Sequence, residues 1–133
     1  MVKSNMKYLI YLFLLAFSFN IIGTTKSIAS ATHEQTCRDF IELLNDLQGV
    51  KCAIPSGAFY AFPDFSIYLN RKGNNKLLKD TFDISEYILD AVQVVTVPGD
   101  GFGSSGHIRF SYATSSKIIK EGMGRVKNAL EII

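Results

Sequence analysis

The stretch Gly106-His107-Ile108-Arg109-Phe110-Ser111-Tyr112-Ala113-Thr114-Ser115 reads as a strand carrying one cation. Ile108, Phe110 and Tyr112 alternate with Arg109, Ser111 and Ala113, so Arg109 projects from the face opposite the bulky apolar side chains. The rest of that face is small. A guanidinium there offers a planar fork of donors that can grip a carboxylate through two parallel hydrogen bonds. The run Pro98-Gly99-Asp100-Gly101-Phe102-Gly103-Ser104-Ser105-Gly106 leads into the strand. It is expected to be a flexible turn that lets another group come close to Arg109. On spacing alone, a surface or interface ion pair is the ordinary alternative for such an arginine.

Outward from this strand, Val94-Val95-Thr96-Val97 is β-branched throughout and reads as a short strand stopped by Pro98. Before it, Asp83 and Glu86 have the spacing of a capping box, and Ile84, Tyr87, Ile88 and Ala91 give the stripe of a helix ending near Val92. After it, Thr114 or Ser115 can cap a last helix striped by Ile118, Ile119, Gly122, Met123, Val126, Ala129, Leu130 and Ile133. The polar segment from Asn70 to Lys76 reads as an exposed loop whose charges are solvated. Val50–Ile54 and Ala58–Pro63 read as two strands, the aromatic-rich second one the more buried. Thr36–Gln48 carries Cys37, Phe40, Ile41, Leu44 and Leu47 at helical spacing, with Gly49 placed to end the helix. Three helices and four strands result, an α/β (α+β) chain in a helix-on-sheet layout.

A chain of 133 residues with 47% hydrophobic and 20% charged residues has the makings of one globular core. A net charge of +2, with Lys and Arg scattered, argues against a nucleic-acid partner. Cys37 and Cys52 lack the CxxC spacing of a zinc or redox site and are expected to be buried free thiols. Residues Tyr8–Ile22 are almost wholly apolar, preceded by Lys3 and Lys7 and followed by Ser27-Ile28-Ala29-Ser30-Ala31, the grammar of a signal peptide. A short membrane anchor through residues 8–22, or a non-native leader, are the alternatives. Residues 1–31 are therefore set apart as a leader from residues 32–133.

Recognisable reaction chemistry is sparse. His33 and His107 are the only histidines and neither lies in a nucleophile or metal motif. The glycine-rich run precedes a strand, whereas phosphate-cradling loops open a helix, so a nucleotide site is rejected.

Three segments in order and spacing carry a family resemblance: Gly57-Ala58-Phe59-Tyr60-Ala61-Phe62-Pro63, then Val94–Gly99 with Phe102 and Gly103, then Ile108-Arg109-Phe110-Ser111-Tyr112-Ala113. Together with the helix Arg38–Leu44 before Gly49-Val50-Lys51-Cys52, residues 36–133 resemble the C-terminal segment of class I pyridoxal-phosphate-dependent aminotransferases of the aspartate aminotransferase type. The resemblance implies an incomplete small domain of the type I pyridoxal-phosphate transferase fold. It also implies that Arg109 binds the α-carboxylate of an amino-acid or 2-oxo-acid substrate. The family's Schiff-base lysine, pyridinium partner and phosphate cup lie upstream, so no catalytic or cofactor-binding residue is assigned in this chain, and Lys76, Lys79 and Lys117 lack the surrounding motif. Pyridoxal 5'-phosphate is the cofactor by family, not expected to be bound by this segment alone. The expected partners are the missing large domain or a homodimer partner, and the expected compartment is the cytoplasm. The competing expectation is an exported or membrane-tethered, non-catalytic binding module that keeps the small-domain fold.

Overall fold

The computed structural model describes residues 32–133, so the signal-peptide or anchor reading of residues 8–22 lies outside the described residues. The chain divides into two units, Met1–Gln35 and Thr36–Ile133, and every element after the first helix lies in the second. That helix, α1, is described over residues 32–45. Cys37, Phe40, Ile41 and Leu44 are buried from it, with Leu47 in the turn that follows. Gly49 ends the turn at φ +73°, where a side chain would be strained.

The elements that follow are short. They are β1 (Tyr60–Ala61), β2 (Lys72–Gly73), β3 (Lys76–Leu77), α2 (Thr81–Val92), β4 (Val97–Pro98), β5 (Ile108–Ser111) and α3 (Ser116–Leu130), with 3-10 turns at Ser66–Tyr68 and Gly99–Phe102. β5 is the centre of an antiparallel three-stranded sheet ordered β1-β5-β4. Ile108, Phe110 and Tyr112 are buried on one side of it, as the alternation predicts. Phe40 of α1 packs on that side, its ring 6.2 Å from Phe110 and 5.6 Å from Tyr112. Phe65 stacks on Phe110 at 5.6 Å. α2 and α3 are joined by the Tyr87 hydroxyl, which donates to the Ala129 carbonyl at 2.7 Å. The helix-on-sheet α+β layout is thus the observed one.

Several local expectations are corrected. Ala58–Pro63 is not the more buried strand: Phe59, Tyr60 and Phe62 are exposed and only Ala61 and Pro63 are buried. β1 is an edge strand, and its Tyr60 is paired with Ser111, on the face of the sheet opposite Phe110. Val50–Ile54 forms no continuous strand: among the described residues its one ladder contact is the Lys51 bridge to Asp64. A polar clamp explains this: Asn45 holds the Cys52 backbone, accepting from its N–H at 2.8 Å and donating to its carbonyl at 3.2 Å.

The Asn70–Lys76 segment holds a hairpin rather than a loop. Asn74 and Asn75 both adopt positive φ, +48° and +64°, the two-residue turn whose twist suits paired strands. Lys76 is not merely solvated, since its ammonium pairs with Asp83 at 2.8 Å and with Glu86. The cap of α2 is Asp80, which accepts from the Asp83 N–H at 2.9 Å. Asp83, read from sequence as the cap, instead accepts from the Lys79 N–H. The β-branched run forms a strand only at Val97–Pro98; proline is tolerated because β4 is an edge. The last helix is capped by Ser115 and buries Ile119, Met123, Val126, Ala129 and Leu130, but leaves Ile118 exposed. Cys37 and Cys52 are free thiols, the first buried and the second half-buried. Among the described residues no helix is long and apolar enough to cross a membrane.

Candidate functional site

Arg109 leaves β5 on the side opposite Ile108 and Phe110, half-buried. Val97 lies directly across from it on β4, and Tyr60 lies across from Ser111 on β1. Tyr60 is therefore a diagonal neighbour of Arg109 on the same face. The guanidinium carbon sits over the Tyr60 ring, 4.6 Å from its centroid, and over the Phe102 ring at 4.9 Å. The face expected to hold only small residues is thus aromatic. The negative faces of both rings attract the cation without using any of its N–H donors. Among the described residues no carboxylate pairs with Arg109 and no acceptor receives a hydrogen bond from it. Its donor fork remains available to an anion.

The glycine-rich run that brings Phe102 here is bound down at each end. Gly99 donates to the His107 carbonyl at 2.8 Å and accepts from Ser104 at 3.0 Å. Gly99 is buried, and a Cβ on it would lie 2.3 Å from the His107 oxygen. One residue on, Asp100 receives hydrogen bonds from the backbone N–H of Thr81, at 2.8 Å, and from the Thr81 hydroxyl. These bonds, the hydroxyl first, hold the Asp100 carboxyl below the usual carboxylate range. Asp100 also brings a negative charge to the first turn of α2, where the helix dipole favours it. This is a pinned turn rather than the open, flexible one expected.

On the other side, Tyr112 supports the segment carrying Tyr60. Its N–H donates to the Phe59 carbonyl and its hydroxyl to the Ala58 carbonyl, both at 2.9 Å. Burial, with a smaller contribution from the Cys37 thiol, pushes the Tyr112 hydroxyl up to about 12, so it stays protonated and donating at neutral pH. Ala58 takes φ +65° to make the turn. His107 stacks on Phe62 at 5.2 Å and its Nδ1 sits 3.2 Å from the Ser105 carbonyl.

Thr81, Asp100, Tyr60 and Phe102 were not singled out for this site from sequence. Thr81 and Asp100 are brought together only by tertiary structure. Phe102 did carry a signal, as the single bulky side chain within a run of glycines and serines.

Among the described residues no cluster of three or more His, Cys, Asp or Glu could hold a metal ion. Six of the seven described lysines (51, 72, 76, 79, 117 and 120) are exposed. The seventh, Lys127, is half-buried and pairs with Asp46. Among the described residues no lysine is fully buried.

Residues 27–126 match the family model described as aminotransferase class I and II. The chain is 36% identical over 93 residues to the aspartate aminotransferase of Streptomyces avermitilis, covering 70% of this chain and 23% of that protein. It is also 36% identical over 89 residues to the aspartate/prephenate aminotransferase of Nitrosomonas europaea, covering 65% and 22%. The crystal structure of the aspartate aminotransferase from Rhizobium meliloti superimposes with a TM-score of 0.73 at 32% identity, over 76% of this chain and 26% of that one. The chain thus spans about a quarter of the length of the relatives it matches. β5 and Arg109 lie within the matched residues 27–126, and the chain belongs to the aminotransferase class I and II family.

Proposed function

We propose that this chain is the terminal part of the small domain of an amino-acid transaminase of the aspartate aminotransferase type. Arg109 is its ligand for the substrate α-carboxylate. The observation that carries the reading is a half-buried guanidinium, held against two rings and, among the described residues, with its donors unused, in a strand that matches the family. A planar carboxylate meets that fork with two parallel N–H···O bonds. What this chain does is bind and orient: the sheet fixes where the carboxylate sits, and the rings keep the cation there. Pyridoxal phosphate would supply the electron sink in such an enzyme. We assign the reacting centre to the large domain or to a partner subunit, and expect the isolated chain to be inactive.

The test is a chimera in which residues 36–133 replace the matching C-terminal segment of the Streptomyces avermitilis enzyme. Arg109→Ala is expected to lower kcat/KM for L-aspartate on the order of 10²-fold or more, since a buried carboxylate left without its partner costs about 2–5 kcal/mol. An Arg109→Ala chimera as active as its parent would overturn the assignment. In calorimetry, the isolated chain is expected to bind L-aspartate weakly or not at all, because an ion pair without an enclosing cleft contributes at most about 1 kcal/mol.

A further inference from the structure

Phe102 is 57% exposed and Tyr60 is 47% exposed, yet both rings face the Arg109 guanidinium. An exposed ring held in such a pose needs a restraint on its backbone. For Phe102 the restraint is the bond set two residues earlier, where the N-terminus of α2 grips Asp100 through the Thr81 N–H and hydroxyl. The Asp100 N–H returns a bond to the Thr81 hydroxyl at 3.1 Å, so the two residues are joined three times. Thr81 is fully buried, which makes it a rigid anchor. Gly103 follows Phe102 at φ +73° and its N–H closes on the Asp100 carbonyl, turning the chain back so that Phe102 stands at the apex.

We propose that Thr81 and Asp100 are positioning residues for Arg109. They act through Phe102, and Phe102 and Tyr60 together restrict the guanidinium so that its donor fork is presented in one orientation. Any substrate carboxylate then meets a pre-oriented cation, and less side-chain entropy is lost on binding. The inference rests on the reading of Arg109 as a carboxylate ligand, and it extends the site to a helix end that sequence does not connect with it.

The test uses the full 133-residue chain in ¹H–¹⁵N spectra, with the Arg109 Hε signal assigned by its loss in Arg109→Lys. Aromatic ring currents displace protons above a ring face upfield, so Arg109 Hε should lie upfield of an exposed arginine. Phe102→Leu and Thr81→Val should both move it back towards the exposed position, while Thr81→Ser, which restores the hydroxyl, should not. A purely structural role for Thr81 would lower the melting temperature and leave Arg109 Hε in place, and that result would overturn the proposal. Should Thr81→Val unfold the chain, Asp100→Ala removes the acceptor at a half-buried position and is held to the same two outcomes. In the chimera, Phe102→Leu should raise KM for L-aspartate about fivefold with kcat unchanged, the size of one cation–π contact. An unchanged KM would likewise count against it. Failure of the carboxylate reading looks different: in the chimera Arg109→Ala would leave kcat/KM intact, while in the unsubstituted chain the Arg109 Hε signal would still lie upfield.

Discussion

Gly99→Ala tests whether the glycine-rich run is a packed turn or a loose one. The added methyl would stand 2.3 Å from the His107 carbonyl oxygen and 2.5 Å from that of Ser104, where ordinary contact begins at 3.4 Å. The backbone must therefore open by about 1 Å in two places. Neither neighbour is a side chain that can rotate away. The Gly99 N–H to His107 bond and the Ser104 N–H to Gly99 bond, at 2.8 and 3.0 Å, would both be lost or lengthened. Two net hydrogen bonds are worth about 1 kcal/mol each, and overpacking costs about 1–3 kcal/mol, so a loss of roughly 4 kcal/mol is expected. For a domain of this size that lowers Tm by roughly 15–30 °C. Circular-dichroism melts of the full chain would measure it, with two internal controls. Gly101→Ala meets only Phe82 at an ordinary 3.9 Å and should be close to neutral. Gly103→Ala has open space but φ +73°, and should cost about 1–2 kcal/mol in strain alone. Equal, small effects at all three glycines would refute the packed-turn argument.

Gly122 lies inside α3, and a methyl there would touch only Val94 at 3.8 Å. Gly122→Ala should therefore stabilise the chain by up to about 1 kcal/mol, read as a raised Tm; a fall would mean the helix needs the space. The carboxyls of Asp64, Asp83 and Asp100 are held below the usual range by Ser66, Lys76 and Thr81 respectively. The folded chain then binds fewer protons than the unfolded one as pH drops through about 4. Their stabilisation is complete above that range and disappears as pH falls through the lower folded-state values. Melts between neutral pH and pH 2 should show the loss, and Asp100→Ala should make the acid limb shallower. An acid limb unchanged in that variant would contradict the Thr81 attribution.

Where one element decided its own structure, the sequence was readable. Five apolar residues at helical spacing place α1, and Ser115 caps α3 as its position suggests. Errors came where a partner distant in sequence chose between local options. Asp80 and Asp83 are both plausible caps, and the ion pair from Lys76 assigns Asp83 to a different task. Asn74-Asn75 is a turn signal of the hairpin kind, but its flanks are too polar to announce strands, and their pairing is supported by Gly73 against the Tyr87 ring. The aromatic Phe59, Tyr60 and Phe62 suggested burial because apolar area usually drives it, yet they lie on or beside an edge strand and are exposed.

The sequence alone determined the side of the sheet from which Arg109 emerges, because the pleat turns every second side chain to the same face whatever the rest of the chain does. It also determined the family, through three segments in register. Only the tertiary structure decided what Arg109 meets there. Tyr60 comes from a strand paired in antiparallel register, and Phe102 from a turn held by a helix end nineteen residues before Asp100. Cross-strand register and long-range hydrogen bonds have no period along the chain, so no local pattern of residues records them.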